Sequence, residues 1–172
     1  MSPAESVNIR VLGLGNLMRT DDAVGMLALR KLTADSRFSR EIEAIEGETL
    51  GLDLLHALYG ISHLFILDAV DTGAPPGTLV RFAGPDLARL PTSKSVHLLG
   101  LSDLINVLLL MEAPPMEIVL LGVQPASTDW GTMLTPAVEA AQGNLVAAAL
   151  RQIAQWEEEI ALLTAIPSVA AR

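Results

Sequence analysis

The sequence contains no cysteine and few aromatic residues. Without cysteine the chain cannot form disulfides, thiolate metal sites, iron–sulfur ligation or a cysteine nucleophile. Aromatic residues make up 3% of the 172 residues and hydrophobic residues 51%, so a core must consist mainly of Leu, Val, Ile and Ala. This length suits one domain. We expect a single domain over residues 1–172, with its core at about 8–159 and a frayed tail after 166.

Positive charge is also scarce, with 11 basic against 20 acidic residues and a formal net charge of −9. Binding to nucleic acid or to anionic membranes relies on clustered Lys and Arg, so this balance argues against both as partners. Residues 1–6 contain neither a basic segment nor an apolar one, and we therefore expect no signal peptide. These features, with the missing cysteine, are compatible with a cytoplasmic protein.

Long hydrophobic runs are missing too, although the mean hydropathy is +0.44. The most apolar stretch, Leu98 to Met111, contains Ser102, Asp103 and Asn106 and is too short to span a membrane. It is typical of a helix buried on most of its sides. We expect a soluble protein with no membrane association.

Short β-like runs alternate with helical ones along the chain. The predicted strands are Asn8–Leu14, Glu41–Glu46, His63–Val70, Thr78–Ala83 and Glu117–Val123. The predicted helices are Asp22–Leu32, capped by Asp21 or Asp22; Leu50–Tyr59; Leu98–Glu112; and a last helix to about Glu159, with Thr135 as N-cap. This order predicts an α/β fold: three layers, with a mostly parallel, twisted sheet of about five strands and helices on both faces.

Ligands of such sheets bind beyond the carboxyl ends of the strands. Asp22 follows the first strand and Asp68 closes the third, where a buried, unpaired charge would cost several kcal/mol. Asp68 should therefore point out of the sheet end or meet a cation. His97 precedes a helix and can lie at the same edge. Together, Asp22, Asp68 and His97 would suit a divalent metal such as nickel or zinc.

Other residues in this region have simpler interpretations. Asp21 alone is more typical of ordinary helix capping, and Asp71 of a turn. His56 falls within a predicted helix and His63 opens a strand, so both are interpreted as structural or exposed.

Three alternative chemistries find less support. Gly13-Leu14-Gly15 has Met18 where a dinucleotide fingerprint needs a third glycine, and the carboxylates that follow would repel a phosphate. The Asp71–Ala74 segment matches a D-T-G-A motif of retropepsin-like proteases, but the predicted helices do not fit that nearly all-β fold. No Gly-x-Ser-x-Gly elbow supports serine hydrolysis.

Four ordered blocks of the sequence resemble the hydrogenase maturation protease family. The first, Val11–Gly25, has the pattern G-x-G-N followed by D-[DE]-x-x-G. The other blocks are Leu67–Asp71 through Gly77; His97–Leu101; and Leu121–Pro125 with Leu134–Val138. The resemblance covers about residues 8–155. Four blocks in order and spacing are far more specific than any single one.

This resemblance implies an α/β endopeptidase of the aspartyl type that removes the C-terminal extension of a cytoplasmic nickel-iron hydrogenase large-subunit precursor. It implies that Asp22, Asp68 and His97 contact nickel carried by the substrate, that Asp22 or Asp68 activates water, and that zinc or cadmium could replace the nickel in a crystal. Some members have Glu at the position of Asp22, and Glu48 stands where the family often has glycine.

Two rival functions share these motifs. One is a binding module that checks for nickel in the same precursor without cutting it. The other is an unrelated metal-dependent hydrolase that holds its own ion. No heptad pattern predicts oligomerisation, so a monomer is expected.

Overall fold

The protein alternates strands and helices, as seen in a computed structural model that describes residues 8–47, 52–89, 106–112, 115 and 117–165. The strands are β1 (Ile9–Leu14), β2 (Glu43–Gly47), β3 (His63–Ala69), β4 (Leu79–Ala83) and β5 (Glu117–Val123). The helices are α1 (Val24–Ala34), α2 (Leu52–Leu58) and α3 (Pro136–Ala165), with 3-10 segments at Thr20–Ala23 and Gly84–Arg89. Residues 106–110 are also helical.

The five strands form one sheet in the order β2-β1-β3-β5-β4. Strands β2, β1, β3 and β5 are parallel, and β4 pairs with β5 in the antiparallel direction at the edge. From β1 the chain runs outward to β2 and then returns to the opposite side of β1 as β3. The direction of winding therefore reverses between β1 and β3, the point where open α/β sheets place their ligand crevice.

Helices cover both faces of the sheet, as the sequence predicts. Helices α1 and α3 pack on one face, where Phe65 and Leu67 of β3 point. Helix α2 and Leu108 lie on the other, against Leu64 and Ile66. All seven residues of β3 are buried, which explains why its apolar residues run continuously instead of alternating.

Most predicted element boundaries fall within two residues of the observed ones, and β5 agrees to the residue. The first helix differs, because a 3-10 turn at Thr20–Ala23 precedes α1 and neither Arg19 nor Ala23 caps its segment with its side chain. The last helix continues to Ala165, beyond the predicted end near Glu159. The start of the predicted helix Leu98–Glu112 and the tail after 166 lie outside the described residues. That the whole chain is one domain stays a prediction.

In the part of the chain that the structure describes, no helix combines the length and the apolar character needed to cross a bilayer.

Candidate active site

The first turn of α1 lies directly on the carboxyl ends of β1 and β3. Gly25 makes this possible: a Cβ atom at that position would lie 2.4 Å from the Leu14 carbonyl oxygen and 2.3 Å from that of Leu67. Asp22 precedes Gly25 by about one helical turn, and Asp68 directly follows Leu67 in β3. Two of the three predicted site residues therefore belong to the same edge of the sheet, at its switch point.

The turn after β1 holds the Asp22 carboxylate. The Asn16 N–H donates a hydrogen bond to Asp22 Oδ2 at 3.0 Å, and the Asn16 side-chain oxygen accepts one from the Met18 N–H. Gly15 adopts a φ of +136°, and a Cβ there would lie 1.9 Å from the Asp22 carbonyl oxygen. The G-x-G-N pattern thus serves to bring the backbone against Asp22, and it leaves this carboxylate partly exposed.

Asp68 is fully buried, within β3 and not beyond its end. Of the two predicted alternatives, pointing out of the sheet end does not fit this burial, and contact with a cation stays a prediction. Its Oδ1 atom accepts a hydrogen bond from the Ala69 N–H at 2.8 Å, and its backbone lies opposite Gly122 of β5. A carboxylate at such a depth needs partners, because the interior solvates charge poorly.

Asp21 is fully buried as well, and its role differs from the predicted capping of a helix. Its Oδ2 accepts hydrogen bonds from the N–H groups of Ala126 (2.8 Å) and Ser127 (3.1 Å) and from the Thr135 hydroxyl (2.8 Å). Its Oδ1 accepts one from the Thr135 N–H at 2.7 Å. The prediction of capping by Asp21 or Asp22 is wrong: neither helical segment has a side-chain cap, because Asp21 binds the segment after β5 and Asp22 accepts from the Asn16 N–H.

Further contacts join the turn at residues 16–21 to the segment 126–135. The Thr20 N–H donates to the Gly131 carbonyl at 2.8 Å, and the Gly131 N–H donates to the Met18 carbonyl at 3.0 Å. The Thr20 hydroxyl donates to the Ser127 carbonyl at 2.6 Å. We call these two joined segments the loop pair. It connects the turn that carries Asp22 with the loop that follows β5.

Large apolar side chains project from the loop pair into solvent. Met18 is 54% exposed, Trp130 77% and Met133 80%. The Arg19 guanidinium lies 5.5 Å from the centre of the Trp130 ring, and its Nε donates to the Thr128 carbonyl. An ordered, exposed cluster of this kind beside a site is typical of a contact surface.

Gln124 links the loops that follow β3 and β5. Its side-chain oxygen accepts from the Thr72 N–H at 2.7 Å, and its amide nitrogen donates to Asp71 Oδ1 at 3.0 Å. The Gly73 N–H donates to the same Asp71 oxygen, which confirms Asp71 as a turn residue. Gln124 is buried, so these bonds hold the loop that begins just after Asp68.

The three histidines fall in different places. His97 lies outside the described residues, so its place relative to Asp22 and Asp68 stays a prediction. His56 is exposed on α2, and His63 is buried at the opposite end of β3. Within residues 8–47, 52–89, 106–112, 115 and 117–165, no three His, Asp or Glu side chains are grouped so that they could hold a metal.

The roles of Asp21 and Gln124 were not predicted from the sequence. Both residues stand in blocks that carry the family resemblance, as does Thr135, but nothing in the sequence indicates that Asp21 and Thr135 meet. Asp22 is partly exposed and Asp68 is buried at the same sheet edge, and carboxylates in such positions can contact a cation or accept a proton from water.

Comparisons with known proteins agree with this architecture. The family model described as hydrogenase maturation protease matches residues 26–152, well over half of the chain. The match includes Asp68 and position 97 but begins after Asp22.

Individual relatives extend the likeness to most of the chain. The hydrogenase 2 maturation protease of Escherichia coli is 34% identical over 149 residues, which are 86% of this chain and 88% of that protein. The hydrogenase expression/formation protein HupD of Rhodobacter capsulatus is 32% identical over 155 residues, 88% of this chain and 74% of that protein.

Among solved structures, the hydrogenase maturating endopeptidase HybD of E. coli superposes with a TM-score of 0.79 at 32% identity, covering 85% of this chain and 93% of the other. The fold, the ordered motifs and these relatives lead to one assignment. The chain belongs to the hydrogenase maturation protease family.

Proposed function

We propose that this protein is the endopeptidase that removes the C-terminal extension of a nickel-iron hydrogenase large-subunit precursor after nickel has been inserted. Membership of the maturation protease family supports the reaction class, and the names of the relatives support hydrogenase as the target. The low count of basic residues fits a protein substrate and not a nucleic acid. The cytoplasm as its location and the monomer as its active form belong to the same proposal.

The observation that carries this proposal is the close contact at Gly25. It brings the first turn of α1 onto the carbonyl ends of both β1 and β3, so that Asp22 and Asp68 share one edge of the sheet. A polypeptide that presents a metal at this edge would meet two carboxylates, Asp22 from the 3-10 turn before α1 and Asp68 from β3. A site of this kind discriminates between precursors with and without the ion, because the empty precursor offers no charge to pair with them.

We assign nickel contact to Asp22, Asp68 and His97, with the nickel arriving as part of the substrate. Two carboxylates and an imidazole form a donor set that suits such a divalent ion. Asp22, which is partly exposed, or Asp68 then takes a proton from the attacking water, while the metal orients the strand to be cut. Processing would therefore depend on nickel insertion.

Replacing Asp68 with Asn tests the site assignment. Asn keeps the shape of the side chain and can still accept the hydrogen bond from the Ala69 N–H, so the fold should persist. Loss of the charge should lower the cleavage rate of nickel-loaded precursor by at least about a hundredfold. Cleavage is measured as the mass decrease at the C-terminus of the precursor, and folding by circular dichroism.

Asp35→Asn is the matched control, since Asp35 lies in an exposed turn after α1 and pairs with Arg37. Its cleavage rate should match the wild type. A normally active Asp68→Asn variant would show that the assignment is wrong. If the wild-type protein binds the nickel-loaded precursor but does not cleave it, the result would favour the rival function of a binding module that does not cut. Stoichiometric metal in the purified, substrate-free protein would favour a hydrolase with its own ion.

A further inference from the structure

Asp21 is a carboxylate at this edge that the proposed reaction does not use. It is 0% exposed, yet all four of its hydrogen-bond donors belong to the segment 126–135. Hydrogen bonds to an ionised acceptor are about twice as strong as neutral ones, so this is a substantial local restraint. It acts on a single stretch of chain.

The restrained segment adds little to the core. None of residues 126–135 is buried, and only Leu134 packs against the cluster beneath α3. The segment instead presents Trp130 and Met133 to solvent. The hydrogen bonds of Asp21 therefore order a segment whose large side chains form surface and not core.

The same carboxylate is joined to the site along the chain. Asp21 is the immediate neighbour of Asp22, and its own N–H donates to the Ser127 carbonyl at 3.2 Å. Thr20, the residue before Asp21, also binds this segment, because its N–H donates to the Gly131 carbonyl. The position of residues 126–135 and that of the Asp22 turn are therefore coupled.

We propose that Asp21 is a positioning residue for the peptidase reaction: its carboxylate fixes the loop pair, so that the rim carrying Trp130 and Met133 is preformed beside Asp22 to receive the precursor. This inference rests on the proposed function. Without the restraint, each encounter with substrate would first have to order the loop, and that ordering lowers affinity. Asp21 acts through the loop pair and does not itself contact the substrate.

Asp21→Asn is the first variant to test. The Asn amide places N–H groups against backbone N–H donors, which should release part of the segment 126–135. The specificity constant kcat/KM for nickel-loaded precursor should fall at least about tenfold, mainly through KM, because the loop must then be ordered on binding and that ordering lowers affinity. Amide hydrogen exchange should increase in residues 126–135 and in the turn 16–21, with β3 and β5 unchanged.

Thr135→Val keeps the test decisive if Asp21→Asn does not fold. It removes only the hydroxyl that donates to Asp21 Oδ2, so KM should rise in the same direction by a smaller factor. Thr33→Val is its matched control, because the Thr33 hydroxyl donates only to the Arg30 carbonyl on exposed α1 surface. Its KM should equal that of the wild type.

The outcomes separate the two proposals. Wild-type cleavage with unchanged KM in folded Asp21→Asn, or in Thr135→Val when Asp21→Asn does not fold, would overturn the positioning role and leave the function standing. A lower unfolding midpoint with wild-type kcat and KM would do the same, since it would assign Asp21 to stability alone. If the wild type itself does not cleave nickel-loaded precursor, the proposed function fails first.

Discussion

The two edges of the same sheet use polar residues in different ways. At the amino edge, Ser62 and His63 stand before and at the start of β3; at the carboxyl edge, Asp21, Asp22 and Asp68 stand around the ends of β1 and β3. At the first edge, Ser62, His63 and the backbone of Asn8 bind one another. At the second edge, Asp21 binds a loop, and Asp22 and Asp68 are proposed to contact the metal that the substrate carries.

The polar groups of the amino edge tie the chain to itself. The Ser62 hydroxyl donates to the Asn8 carbonyl and accepts from the Asn8 N–H, both at 3.0 Å. His63 Nδ1 lies 2.8 Å from the same hydroxyl, and its ring lies 4.9 Å from that of Trp156. Substitutions at the amino edge should lower the free energy of unfolding and leave the cleavage reaction unchanged. Substitutions at the carboxyl edge should lower kcat/KM for cleavage. Three variants, two of them paired with a control variant, test that difference in addition to the variants at Asp68 and Asp21.

The largest loss of stability should come from Trp156→Ala. Trp156 is 0% exposed and packs on His63 and Phe65, so truncation should lower the free energy of unfolding by about 3–5 kcal/mol. Urea unfolding measures this loss. The kcat/KM of the folded fraction should stay within about twofold of the wild type, because single truncations away from a site act mainly on folding. Loss of activity in fully folded Trp156→Ala would break the comparison.

Leu162→Ala is the control on the same helix. Leu162 is 64% exposed, and its truncation should change the free energy of unfolding by no more than about 0.5 kcal/mol.

Gly25→Ala should lower the free energy of unfolding by less than Trp156→Ala does, and it should also lower kcat/KM. The added Cβ would lie 2.3 Å from the Leu67 carbonyl oxygen, so α1 must move away from the strand ends. Overpacking of this kind should lower the free energy of unfolding by about 1–3 kcal/mol. Since Asp22 moves with α1, kcat/KM should fall too. Gly143 lies on the exposed side of α3, and a Cβ added there would have no atom within 4 Å. Gly143→Ala should therefore stabilise the protein, by up to about 1 kcal/mol.

The smallest effect should be a pH dependence that belongs to His63. Burial lowers the pKa of His63 below its usual 6.5, against a weaker opposing effect of Glu117 and Glu159. The unfolded chain therefore binds a proton more readily than the folded one, so the stability due to neutral His63 is present above about pH 6.5 and is lost as the pH falls toward the folded pKa. His63→Gln should show a smaller drop in urea midpoint than the wild type between about pH 7.5 and 5.5. Equal drops would contradict the shift.

The fold was predictable because its signals are local. Continuous apolar runs in β3 and β5 indicated strands buried on both faces, and the alternation with helices indicated a mostly parallel sheet. The rule that ligands bind at carboxyl ends then led to Asp22 and Asp68 on one edge. The burial of Asp68 and the bonds of Asp21 were not predictable, since they depend on where the segment after β5 lies relative to the turn after β1.

The amino-acid sequence by itself determined the class of fold, the order of most elements and the two carboxylates at the strand ends, because apolar periodicity and chain order act over a few residues. Only the tertiary structure decided what Asp21 does. Its four hydrogen-bond donors lie more than a hundred positions away along the chain. The same local sequence would allow Asp21 either to cap the following helix or to bind a distant loop. Which of the two it does depends on the N–H and O–H donors that the folded chain brings within reach of its carboxylate.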